Sequence, residues 1–379
     1  MTTPPGTAFI YSERYQHFDY GPGHPLRNSR LALTHALCRA YGLLSLPTTR
    51  LVETRSATDA EVALFHRADY LDVLRAADRG HLTPHLWQYG LGTADNPVFP
   101  GVYEWSLLTT GGSLQAMELV DSGQVDRAFN VAGGLHHAAA ARASGFCYIN
   151  DAAVIIKHLV RRGRRVAYVD IDAHHGDRIQ FGFYDTDQVL TISIHESGES
   201  LFPGTGFVEE IGQGPGTGYS VNIPLLAGSD DVIFLWAMDQ AVAPLLAGFR
   251  PDVVVTQLGA DTHRTDPLAN LALTTDGFAE AVRRLRPLCQ RWIALGGGGY
   301  HLENVPRSWT LAWAIMNEQE IPDELPAVFR EELRRHGWSA SRLGDAAIAA
   351  DPASREPAWR YVQEQVRRLQ QLVFPHHGL

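Results

Sequence analysis

Four stretches of the chain collect acids and imidazoles where a strand would end. GGLHHA supplies His136 and His137, and YVDIDAHHGD supplies Asp170, Asp172, His174, His175 and Asp177. QLGAD ends on Asp261 and LGGGGY on Tyr300. Charges buried in a sheet without partners are costly, so something must compensate them. Side chains alternate along a strand, so Asp170, Asp172 and His174 share one side if strand geometry persists that far. With Asp261 from a neighbouring strand, Asp172 and His174 form a two-carboxylate, one-imidazole set, which suits Zn²⁺ with an open fourth position. That is the catalytic pattern. A closed structural zinc site would draw on cysteines, and Cys38, Cys147 and Cys289 are widely separated. His175 alternates away from His174 and is read as structural.

Metal-assisted hydrolysis also needs a base for the water and an acid for the leaving group. His136 and His137 could supply both, provided each has its other ring nitrogen fixed by an acceptor. Asp170 and Asp177 are the acids left over for that task. Tyr300 could donate to a developing oxyanion, with Gly296 to Gly299 allowing close backbone approach; taken alone, an ordinary turn with a packed tyrosine explains it equally. Phe146 in GFCYIND and Phe202 in LFPGTG could line a narrow apolar tunnel, although either alone would fit a core.

The elements that must position these residues are apolar, β-branched runs. They fall near residue 10 and at 129–134, 165–172, 189–196, 252–259 and 292–299. Several are almost continuously apolar, as strands buried on both faces must be. Helix-period segments at 151–162, 230–248 and 274–286 lie between them. The alternation predicts an α/β fold with a mostly parallel sheet, and its ligand site lies beyond the carboxyl ends of the strands. Val362, Val366, Leu369 and Val373 fall on one face of a closing helix that should pack on the core.

With 379 residues, 45% of them hydrophobic and 20% charged, the chain can bury a large core, and no Pro/Gly/Ser linker divides it. One domain over 1–379 is expected. A net charge of −10 argues against a general phosphate footprint and so against direct nucleic-acid binding. GQGPGTGYS only superficially resembles a phosphate cradle; no helix-opening GxGxxG or GKS/GKT motif follows a strand. Lys157 is the only lysine, a bias best explained by genome composition. No export signal or membrane span is read, and three scattered cysteines fit a reducing compartment, so a cytoplasmic protein without a membrane partner is expected.

GGLHHA, ASGFCYIND, YVDIDAHHGD, LFPGTG, LGADT, DPL and LGGGGY, in that order, resemble the zinc-dependent histone deacetylase family. The class I-like and bacterial acetoin-utilisation branches look closest, and the motif-bearing core runs from about 11 to 313, followed by a helical segment at about 320–379. The resemblance implies an arginase/deacetylase fold with eight strands, and hydrolysis of acetylated lysine in a protein or peptide. Asp172, His174 and Asp261 then match the zinc ligands. His137 matches the base and acid, His136 its electrostatic aid, Asp170 and Asp177 their partners, and Tyr300 the carbonyl-polarising tyrosine. Gly145, Phe146 and Phe202 match the tunnel, and Asp95 in GTADNP the rim residue that holds the substrate backbone. The resemblance also implies potassium at Asp170, Asp172, His174, Ser193 and Ile194, and a second potassium near Phe183, Thr186, Val189 and Tyr219. Two departures bear on loop and rim shape: Thr265 stands before Asp266 where glycine is common, and AAAA follows the histidine pair.

Other readings are weaker. Acetylpolyamine deacetylation would suit an acidic entrance, whereas Leu268 in DPL is apolar. A two-manganese ureohydrolase needs bridging acids where Gly176 and His263 stand. A catalytically dead acyl-lysine reader would tolerate loss of a histidine or Tyr300, and all are present.

Overall fold

The computed structural model describes residues 6–345 and 352–379. Eight strands, β1 (Thr7–Tyr11), β2 (Thr49–Glu53), β3 (Arg127–Asn130), β4 (Val166–Asp170), β5 (Val189–Glu196), β6 (Ser220–Leu225), β7 (Val253–Gln257) and β8 (Trp292–Leu295), make one sheet. Its order is β2-β1-β3-β8-β7-β4-β5-β6, and all pairings are parallel. From β4 to β8 every strand residue is buried, which explains the unbroken apolar runs.

Six strands fall on the runs read from sequence; β2 and β6 do not. In β2 (TRLVE) an exposed edge carries arginine and glutamate, so no apolar period shows. In β6 (SVNIPL) Asn222 and Pro224 interrupt the pattern, and proline is tolerated because β6 is the other edge. The runs at 129–134 and 292–299 overshoot their strands: β3 stops at Asn130 and β8 at Leu295, and the glycines beyond form loops.

The three helix-period segments are the helices Asp151–Arg161, Asp231–Phe249 and Thr275–Leu285. Each begins on a capping side chain, Asn150, Asp230 and Thr274 respectively, that accepts from a first-turn amide. Asp231–Phe249 has the length and mean hydropathy, 1.6, of a membrane-crossing helix. It is half buried, however, and packs on β4, β5 and the helix Pro352–Val373. The latter buries Val362, Val366, Leu369 and Val373, as their spacing predicts, against β6 and Asp231–Phe249.

Two features of this frame matter for the site. First, β3, β8, β7 and β4 are adjacent, and Asn130, Leu295, Gln257 and Asp170 stand in one register row across them. The four chemistry-bearing loops therefore leave the sheet at one level. Second, Asp345 ties the chain after the last sheet elements back to one of those loops. Its Oδ2 accepts from Thr275 N and Thr275 Oγ1, both at 2.8 Å, and lies 2.7 Å from His263 Nε2. Its Oδ1 accepts from Arg307 Nη1 at 3.0 Å.

Candidate active site

Asp170 ends β4, and strand geometry ends with it. The expectation that Asp170, Asp172 and His174 line up by simple alternation is therefore replaced by a tighter arrangement. Asp172 N donates to Asp170 Oδ1 (3.1 Å) and His174 N to Asp172 Oδ1 (2.9 Å), two side-chain turns in succession. These turns separate the aspartates into two groups. Asp172 and His174 turn towards Asp261 in the loop after β7, and Asp170 turns towards His136.

In the first group, candidate ligand atoms from Asp172, His174 and Asp261 all lie within 4.8 Å of one another, and all three residues are buried. His174 Nδ1 is 3.1 Å from Asp172 Oδ1 and 3.0 Å from Asp261 Oδ2. Surrounding donors fix both acids: Gln257 Nε2 (2.6 Å) and Gly298 N (2.8 Å) donate to Asp172 Oδ2, and Ala173 N (2.8 Å) to Asp261 Oδ1. Burial and the Asp172 charge push the Asp261 carboxyl up to about 7. For Asp172 burial acts in the same direction, but the neighbouring His136 and His174 hold it well below the usual range. Two buried carboxylates and an imidazole converging on one point, with their outer oxygens hydrogen-bonded, could hold a divalent metal ion.

In the second group, His136 Nδ1 lies 2.8 Å from Asp170 Oδ2 and His137 Nδ1 lies 2.9 Å from Asp177 Oδ1. Tyr168 donates its hydroxyl to the same Asp170 oxygen (2.7 Å). Burial lowers the pKa of both rings, but Asp170 and Asp172 outweigh it for His136 and raise that ring to about 9. His137 falls to about 4 through burial and its charged neighbour. The loop carrying the pair is held from behind. Asp151 accepts from Gly134 N (3.0 Å) and Leu135 N (2.8 Å), and Asn150 Nδ2 donates to His136 O (3.0 Å) and Ala138 O (3.1 Å). Asn150 and Asp151 are legible in sequence as a helix start, but their reach across more than ten residues to the histidine loop is not.

His137 and His174 open into a cavity of about 210 Å³, whose other lining residues are Asp95, Gly145, Phe146, Leu201, Phe202, Leu268 and Tyr300. Every tunnel and rim residue expected from sequence is thus at one pocket, with Leu201 added. Phe202 packs edge-on to His137 at 5.0 Å and Phe146 edge-on to Tyr300 at 5.6 Å, so two aromatic rings line the pocket. Burial, with Asp261 and Asp172, keeps the Tyr300 hydroxyl protonated far above neutral pH. Its backbone N donates to Asp266 Oδ2 (2.8 Å), and the buried Arg30 donates to Gly299 O (3.0 Å). Asp266 lies in the DPL motif but was given no role from sequence, and Arg30 was not singled out because it carries no local motif.

His175 is turned away, as read, with Nδ1 2.8 Å from Thr205 Oγ1. Ser193 is the register partner of Asp170, and Ile194 follows it in β5. Phe183 and Thr186 lie between the helix Asp177–Gly182 and β5, Val189 opens β5, and Tyr219 precedes β6. Gln213 N donates to Tyr184 O (2.8 Å), joining these stretches, and Lys157 Nζ sits 4.6 Å over the Phe183 ring. Thr265, in place of the commoner glycine, accepts from Asn304 Nδ2 (2.7 Å), and Ala139 closes a turn on Arg142 O (2.8 Å).

Comparison with known proteins agrees with this geometry. Residues 24–316 match the histone deacetylase domain. The chain is 43% identical to the acetoin utilization protein AcuC of Bacillus subtilis, over 93% of each chain. It is 38% identical to human histone deacetylase 1, over 84% of this chain and 66% of the human protein. The crystal structure of a histone deacetylase homologue from Aquifex aeolicus superposes with a TM-score of 0.88 at 35% identity, covering 96% of this chain and 99% of that one. A structure of such a homologue complexed with SAHA matches equally well. The eight-stranded sheet is accordingly the arginase/deacetylase fold. The chain belongs to the histone deacetylase family and is a deacetylating hydrolase.

Proposed function

We propose that the chain hydrolyses the side-chain amide of acetylated lysine in a protein or peptide, with one zinc ion held by Asp172, His174 and Asp261. The observation that carries this reading is the pocket in which His137, His174 and Tyr300 meet beside the Phe146 and Phe202 rings. Bound there, zinc supplies Lewis-acid polarisation of the amide carbonyl and activation of water. The apolar walls receive the aliphatic lysine stem, Asp95 at the lining accepts from the substrate backbone, and Tyr300 donates to the carbonyl oxygen as charge develops. His137, neutral and oriented through Nδ1 by Asp177, takes the water proton at Nε2 and returns it to the departing amine. His136, cationic on Asp170, stabilises the negative charge formed beside it.

Potassium is proposed where β4 and β5 end, at Asp170, Asp172, His174, Ser193 and Ile194. A second is proposed at Phe183, Thr186, Val189 and Tyr219. Support comes from the Asp170–Ser193 register and the joined turns around Tyr184. The chain is proposed to act as a single domain in the cytoplasm, whose reducing conditions keep its buried free cysteines as thiols. Parallel assays on acetyl-lysine peptides and acetylpolyamines, with and without chelator, test the reading. Chelator-sensitive cleavage of the peptides is expected. Preferential cleavage of the polyamines would replace the proposed substrate, and cleavage of neither by metal-loaded protein would remove the reading.

A further inference from the structure

Glu196 ends β5, is 1% exposed, and among the described residues pairs with no Arg, Lys or His. A buried carboxylate without a cation needs strong donors. Its donors come from two separate loops. Asn270 gives its backbone N to Oε2 (2.7 Å) and its side-chain Nδ2 to Oε1 (3.0 Å), while Ser200 Oγ donates to the same Oε1 (3.0 Å). Asn270 lies two residues after Leu268, and Ser200 immediately precedes Leu201 and Phe202; all three apolar residues line the pocket. The backbone of Glu196 is itself fixed, its N donating to Ala173 O (2.9 Å) between Asp172 and His174. One carboxylate therefore spans two pocket-lining loops and is anchored to the segment that carries the candidate metal ligands.

We propose that Glu196 is a specificity-determining positioning residue: it clamps the Leu268 loop to the Leu201–Phe202 loop and so sets the width of the acyl-lysine channel. The inference rests on the acyl-lysine reading above. The clamp touches neither substrate nor reacting atoms, so its loss should weaken discrimination and binding more than turnover. An isosteric amide is informative, because it places a donor NH₂ against at least one of the donors that now converge on the carboxylate.

The test is steady-state kinetics of wild type, Glu196→Gln, Ser200→Ala and Asn270→Ala on matched acetyl-lysine and butyryl-lysine peptides. For Glu196→Gln, KM for the acetyl peptide should rise about tenfold with kcat within about twofold. The acetyl-over-butyryl ratio of kcat/KM should fall about tenfold, the scale on which pocket shape discriminates methylenes. Ser200→Ala and Asn270→Ala each remove one arm and should give smaller changes in the same direction; they carry the test if Glu196→Gln does not fold. Unchanged KM and selectivity in the folded variants would overturn the inference, as would a fall in kcat alone. If wild type cleaves no acyl-lysine peptide, the functional reading itself fails; active wild type with insensitive variants removes only the clamp.

Discussion

The Nε2 atoms of His136 and His137 lie 3.0 Å apart, so only one proton can occupy the space between them. The base is disabled when protonated, so kcat/KM should fall as pH drops towards the His137 value. It should fall again as His136 loses its charge above about 9. A divalent cation nearby disfavours both imidazolium forms and should move both limbs to lower pH. Replacing His136 with Asn should abolish the alkaline limb and shift the acid limb upward, because the charge opposing protonation of His137 is gone. A kcat/KM profile from about pH 4 to about pH 10 checks this.

Tyr300→Phe should lower kcat by about 10²- to 10³-fold with little change in KM, the cost of losing one preorganised oxyanion donor. His137→Ala should cost about 10²- to 10⁴-fold. Stopped assays on one acetyl-lysine peptide, with thermal melts to confirm folding, separate these effects from instability.

Asp172 is held by Gln257 Nε2 at 2.6 Å, a contact outside the three candidate ligands. Gln257→Leu should weaken metal affinity by about 10- to 100-fold while leaving one equivalent bound at saturation. Asp261→Ala should abolish stoichiometric binding. Competition with a chromogenic chelator measures both.

Gly145 has φ +50°, and a Cβ there would stand 2.6 Å from His137 Cδ2. Gly145→Ala should displace the His137 ring and abolish most turnover with metal content unchanged, as metal analysis beside an activity assay would show.

Asp345 braces the Asp261–Asp266 loop through His263. Burial opposes its ionisation, but the His263 hydrogen bond, the Thr275 amide and Arg307 hold its carboxyl well below the usual range. A group depressed in the folded state contributes stability above its unfolded pKa, and that contribution disappears as pH falls below about 4. Asp345→Ala should destabilise by about 3 kcal/mol at neutral pH by leaving Arg307 buried and unpaired, with a difference that narrows in acid. Urea unfolding at two pH values tests the sign. Truncation after residue 316, where the histone deacetylase match ends, should also lose the brace.

The strand-end acids and imidazoles were legible because burial makes unpaired charge expensive, and a charge-rich strand end therefore signals a site. The structure brings Asp172, His174 and Asp261 into one cluster and sets Asp170 and Asp177 against the two histidines. Strands β2 and β6 were not legible, since an exposed edge and a proline-bearing edge both lose the apolar period. Gln257, Asp151 and Glu196 were missed for another reason: each acts over a long sequence separation, and no local pattern records where a side chain reaches after folding.

The shared row of Asn130, Leu295, Gln257 and Asp170 makes the sheet a ruler for the chemistry above it. Adding or deleting one residue within any of these four strands would offset its loop by about 3.3 Å and send its next side chain to the opposite face. Insertions in the loops away from the site carry no such penalty. Length variation among active relatives should accordingly avoid these strands and collect in the connections, so that indels trace the boundary between a fixed gauge and replaceable tooling.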